Sequence, residues 1–147
     1  MALKEELTEA MKQAMKARDD LRLSAVRMIR SAVKNREIDQ MRELDDQGII
    51  EVISSLAKQR RESIRLYREG NREDLAAKEQ AELDVLLGFL PRQMETAELE
   101  QLVERIISET GAAGPKDMGI VMKAVTPLTA GKADGKVVSD IVRRRLS

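Results

Sequence analysis

Histidine and cysteine are both missing from this chain. Without cysteine there is no disulfide framework and no thiolate nucleophile. Without histidine the usual imidazole acid–base group and the commonest metal ligand are gone. Tryptophan is absent too, and Tyr67 and Phe89 are the only aromatic residues. No platform for stacking single-stranded bases follows from so few rings. The core must instead be filled by Leu, Ile, Val, Ala and eight methionines. Net charge is missing as well, since 26 basic residues balance 26 acidic ones. Disorder driven by self-repulsion is therefore excluded. Long uncharged apolar runs are absent, so no bilayer span and no membrane partner are expected. The N-terminus, MALKEELTEAMKQAM, is charged and amphipathic and lacks the apolar core of a secretory signal. A cytoplasmic protein is the expectation from that stretch.

What is present favours helix throughout. The chain has 147 residues, 42% hydrophobic and 35% charged, rich in Glu, Lys, Arg and Gln. Leu3, Leu7, Met11 and Met15 recur at steps of four, which predicts one helical stripe. A second helix is expected over about 21–37, with Leu21, Ala25, Val26, Ile29 and Val33 on its apolar face and Arg27, Arg30, Lys34 and Arg36 outside it. A third runs from about Ile49 to Glu69, its stripe interrupted near Gln59 and Arg60. A helix projecting past the core, or an Arg60 stem lying along apolar surface, explains that gap. Gly70-Asn71 reads as a turn, with Gly70 left-handed and Asn71 capping a fourth helix that Pro91 ends. Three shorter helices follow. Thr96 caps the fifth, the sixth runs from Pro115 to about Pro127, and Asp134 caps the seventh. The expected architecture is all-α. It has an N-terminal bundle of about four helices over residues 1–90 and a C-terminal three-helix unit over 91–147.

No catalytic constellation is visible. There is no G-x-S-x-G elbow, no phosphate-binding P-loop and no G-x-G-x-x-G. The pairs Asp19/Asp20 and Asp45/Asp46 stand at helix starts, where capping accounts for them. Helical di-metal sites need Glu-x-x-His pairs, so no metal is expected, and no cofactor. The charge distribution says more. Residues 111–147 carry Lys116, Lys123, Lys132, Lys136, Arg143, Arg144 and Arg145 against only Asp117, Asp134 and Asp140, a local excess of four positive charges. Lys136 falls in the first turn of the seventh helix, where a cation opposes the helix dipole. Gly131 and Gly135 would let a ligand approach the backbone. These seven cations are the candidate nucleic-acid-binding residues. Two readings stand side by side: a phosphate contact at this helix start, or a solvated loop with a basic end that complements the dipole.

Several stretches together resemble one family. PKDMG (115–119), VMKAV (121–125) and GKADGKVVSDIV (131–142) closely resemble the C-terminal motifs of the YqeY family. FLPRQM (89–94) is similar to its hinge, and LSAVRMIRSAVKNREI (23–38) and KQRRESI (58–64) to its N-terminal half. The resemblance covers essentially the whole chain. It implies the same two-part helical fold and a kinship with the tail of the B subunit of the glutamine-dependent aminoacyl-tRNA amidotransferase, a tail that helps hold tRNA. The family label is carbon–nitrogen ligase with glutamine as amido-N-donor. The glutaminase chemistry belongs to another subunit, and the B subunit's catalytic core has no counterpart here, so an enzyme acting alone is not expected. The resemblance implies tRNA, an aminoacyl-tRNA synthetase or amidotransferase subunits as partners. Its functional readings are a non-catalytic tRNA- or RNA-binding module, an accessory component of amidotransferase activity, or a protein-interaction adaptor. Two departures stand out: Ile120, and the run Leu128, Thr129 and Ala130, occupy positions where the family commonly carries lysine.

Overall fold

Three of the helix starts in this chain are capped by aspartate side chains. The computed structural model describes residues 2–147. Among them are seven α-helices and one 3-10 turn, and no strand. The helices are α1 (Leu3–Ala17), α2 (Asp20–Gln40), α3 (Asp46–Glu69), α4 (Glu73–Leu87), α5 (Thr96–Thr110), α6 (Met118–Thr129) and α7 (Gly135–Leu146), with the 3-10 turn at Pro115–Asp117. The all-α expectation holds. Asp19 accepts from the Arg22 N–H at 3.1 Å, Asp45 from Gly48 at 2.8 Å and Asp134 from Lys136 at 3.1 Å. Each satisfies a backbone donor that the first helical turn leaves free.

The chain divides into two units, one through Pro91 and the other Arg92–Ser147. In the first, α1 and α2 form a hairpin and α3 and α4 another, and α2 packs on both members of the second. Leu7, Val26, Ile29, Ile53, Ala57 and Leu86 lie at the centre of its core. The stripe on α1 does not run in steps of four to its end. Each such step turns about 40° away from the starting face. By the third step Met15 is exposed, and Ala14 is buried in its place. Leu21 is likewise on the surface. The gap in the α3 stripe has a cause of its own. Arg60 is half-buried, and its Nε lies 3.1 Å from a Glu79 carboxylate oxygen and 2.9 Å from one of Glu82, both on α4. The contact is one of charge rather than of linear hydrogen bonds.

Some expected boundaries move. Helix α2 continues to Gln40. Gly70 has φ −86°, and Asn71 takes the left-handed conformation at φ 58° instead of capping α4, which Arg72 precedes without a side-chain cap. Asparagine tolerates that region because its short polar side chain can bond locally. Helix α4 ends at Leu87, before Pro91. Glu95 rather than Thr96 precedes α5, and its N–H donates to the Glu98 carboxylate. Pro127 lies inside α6, which runs on to Thr129. The proline removes only the bond to the Lys123 carbonyl one turn back, on an exposed residue, while Ala130 N–H still bonds Thr126 O at 3.0 Å.

In the second unit α5, α6 and α7 pack on one another around Val103, Val121, Val125, Val138, Ile141 and Val142. Gly111 closes α5 in the left-handed conformation, φ 69°. Among the described residues no helix is long and apolar enough to cross a membrane.

Candidate anion-binding surface of the C-terminal unit

The loop between α6 and α7 is held by its own backbone and by the segment that precedes α5. Gly131 has φ 75°, a conformation that disfavours side chains. The N–H groups of Lys132 and Ala133 both donate to the Thr129 carbonyl, at 2.9 and 3.1 Å. Gln93 Nε2 donates to the Gly131 carbonyl at 2.8 Å, and Met94 N–H to the Lys132 carbonyl at 2.8 Å. The loop backbone is thus tied on its carbonyl side. The Lys132 side chain stays exposed. Neither Gln93 nor Met94 belongs to the sequence-derived set. Their signal is the FLPRQM motif, read there only as a hinge.

The seven candidate cations fall into two groups. Arg143 and Arg145 are committed inside the unit. Arg143 pairs with Asp140 at 3.0 Å, and Arg145 reaches Glu104 and Glu100 on α5. All three arginines lie in the last turn of α7, where positive charge complements the dipole. Lys116, Lys123, Lys132, Lys136 and Arg144 are exposed and form no ion pair among the described residues. Lys123 points outward from α6, opposite Val121 and Val125. Arg144 lines a shallow groove of about 440 Å³ together with Thr96, Val137 and Ile141.

The acids of the same stretch are all in use. Asp117 accepts from the Ala113 N–H at 2.9 Å, Asp134 caps α7, and Asp140 holds Arg143. Five cations therefore face solvent without an ion pair among the described residues. On the edge of the unit, Arg92 holds the Glu98 carboxyl below the usual carboxylate range, with help from the Glu95 N–H. Of the departures from the resembled family, Ile120 and Leu128 are exposed, whereas Thr129 is buried, its hydroxyl 3.3 Å from the Val125 carbonyl. A lysine at Thr129 would have to leave the core in this chain. Among the described residues no cluster of acidic side chains is placed to hold a metal ion. The arrangement supplies ammonium and guanidinium donors to an anion.

Comparisons with known proteins place the chain among relatives. Altered inheritance of mitochondria protein 41, mitochondrial, of Lachancea thermotolerans is 36% identical over 113 residues, 74% of this chain and 60% of that protein. The Vanderwaltozyma polyspora protein of the same name is 34% identical over 120 residues, 76% of this chain and 64% of its own. The Saccharomyces cerevisiae counterpart is 34% identical over 91 residues, 61% of this chain and 49% of its own. The chain thus spans about half to somewhat under two thirds of the length of these relatives. Their names overturn the cytoplasmic expectation, because they are mitochondrial proteins. That expectation rested on the absence of a secretory signal, which does not separate the cytosol from other non-secretory compartments. The model of the YqeY family, described as Yqey-like protein, matches residues 4–146. With nearly every residue inside that match, the chain belongs to the YqeY family.

Proposed function

We propose that this protein is a non-catalytic RNA-binding module, with tRNA the leading ligand, that grips phosphates through its C-terminal unit. One observation carries the reading. Every aspartate between Pro115 and Ser147 is engaged internally, while Lys116, Lys123, Lys132, Lys136 and Arg144 carry no counter-ion. Exposed cations without an ion pair attract a polyanion by counter-ion release, without reading its sequence. Lys132 and Lys136 flank the first turn of α7, whose N–H groups and dipole also favour an anion. With Tyr67 and Phe89 the only rings, and both in the other unit, backbone and shape contacts dominate over base stacking.

The test is a titration of labelled tRNA at 50 to 200 mM salt. Binding is expected to weaken steeply with salt, with a slope set by the number of phosphates contacted. Lys132→Gln with Lys136→Gln is expected to lower affinity and to flatten that slope by about 1 to 2. Absence of binding at low salt, or an unchanged slope in the double variant, rejects the reading.

A further inference from the structure

A second cationic track lies on the N-terminal unit. From Leu21 to Arg36 the chain has five cations, Arg22, Arg27, Arg30, Lys34 and Arg36, and no acid at all. Arg22 is taken by the Phe89 ring, with 5.3 Å from its guanidinium carbon to the ring centroid. Arg27, Arg30 and Lys34 are exposed and follow one another at steps of three and four, so they share one face of α2. None of the three pairs with a carboxylate; Arg30 rests on the Met11 sulfur instead. Arg30 and Lys34 open onto a groove of about 460 Å³ between α1 and α2, which also holds Thr8 and Ser31 over a floor of Leu7 and Val33. The one acid in that groove is Glu37. Its Oε2 already accepts from Lys4 Nζ at 2.7 Å and from the Leu44 N–H at 2.8 Å. The groove therefore keeps its positive charge.

We infer that this face of α2, with Arg27, Arg30 and Lys34, is a phosphate-backbone track that binds RNA. The ligand class rests on the function proposed above. The surface itself rests on separate residues in a separate unit. Three features favour RNA over an acidic protein segment. The polar neighbours on the face, Ser24, Ser31 and Asn35, supply hydroxyl and amide donors of the kind that contact phosphate. Between Arg27 and Lys34 no large apolar side chain is exposed, and on this face only Ile38, one turn beyond, offers a protein partner an anchor. The cations span about 10 Å along the helix, a length over which a nucleic-acid strand presents about three phosphates.

The experiment compares full-length wild type, an Arg27→Gln/Arg30→Gln/Lys34→Gln variant and a Lys132→Gln/Lys136→Gln variant. All are titrated with one fluorescently labelled tRNA transcript at 50 to 200 mM KCl. The three positions are exposed and glutamine keeps the helix propensity, so circular dichroism and the melting midpoint serve as folding controls. The α2 variant is expected to bind about tenfold or more weakly at 50 mM and to lose about 2 to 3 from the salt slope. An Arg27→Lys/Arg30→Lys variant is expected to restore most of the binding. If the α2 variant keeps wild-type affinity and slope while the Lys132/Lys136 variant weakens, the track is rejected and the C-terminal reading stands. If only the α2 variant weakens, the track stands and the C-terminal reading falls. No binding by wild type rejects both. Displacement of the tRNA by poly-glutamate at equal charge concentration overturns the assignment to nucleic acid in favour of an acidic protein.

Discussion

Arg60 shows how one side chain can interrupt a helical stripe and still belong to the core's edge. Its guanidinium sits between Glu79 and Glu82, and the three side chains are 20%, 20% and 19% exposed. Replacing it with methionine would leave two neighbouring carboxylates partly desolvated without a counter-charge. Breaking a buried pair from one side costs more than the pair contributes. Arg60→Met is therefore expected to destabilise by about 1–3 kcal/mol in urea unfolding. Adding Glu79→Gln and Glu82→Gln to it is expected to recover most of that loss. A neutral single variant would show that solvent already screens the cluster. The residue itself was conspicuous in the sequence, as a basic gap in an apolar stripe. Its partners were not, because they lie on α4, and pairing between elements carries no period along the chain. The same limit applied to the C-terminal cations: all seven were legible as charges, but only packing separates committed Arg143 and Arg145 from the free lysines.

Lys4 and Glu37 join the start of α1 to the last turns of α2, and Glu37 also fixes the Leu44 N–H in the following loop. The Glu37 carboxyl is held below its ordinary value of 4.5, first by the Lys4 hydrogen bond and then by the Leu44 N–H. The sign follows from linkage. A carboxyl with a depressed folded-state pKa stabilises above its unfolded value, and that contribution fades as pH falls through the lower folded value. Lys4 is raised by the same bond, so its share persists below 10.5 and fades only above that. Glu37→Gln is thus expected to flatten the loss of stability of the N-terminal unit below about pH 4.5. Urea midpoints between pH 3 and 7 measure it, and parallel acid limbs in variant and wild type would sink the assignment. At this scale, elements specified locally were readable: Asp19, Asp45 and Asp134 cap where short acidic residues precede apolar periodicity. Ends set by packing were not. Asn71, not Gly70, takes the left-handed turn, and Pro127 is absorbed into the last turn of α6 because the bond it removes falls on an exposed residue.

The chain carries two separate cores, one on either side of Pro91. The C-terminal core includes Leu99, Val103, Val121, Val125 and Ile141, all buried within Arg92–Ser147. A core of that size supports folding alone but only marginally, at about 3–5 kcal/mol or less. The fragment Arg92–Ser147 is therefore expected to be helical and to unfold cooperatively. Its lower boundary matters, because Gln93 and Met94 bond the Gly131 and Lys132 carbonyls at 2.8 Å each. A fragment beginning at Glu95 forfeits both and leaves the part-buried Gly131 carbonyl without its Gln93 donor, at a cost of about 1–3 kcal/mol. It should melt well below the longer fragment, and its α6–α7 loop should exchange amide hydrogens faster. Equal stability of the two fragments would show that the loop holds itself through Thr129 alone. If the longer fragment folds, it also separates the two cationic surfaces. It should bind tRNA with the salt slope of the C-terminal lysines only, smaller than that of the full chain by the about 2 to 3 phosphates assigned to α2. An equal slope in fragment and full chain would place every phosphate contact after Pro91.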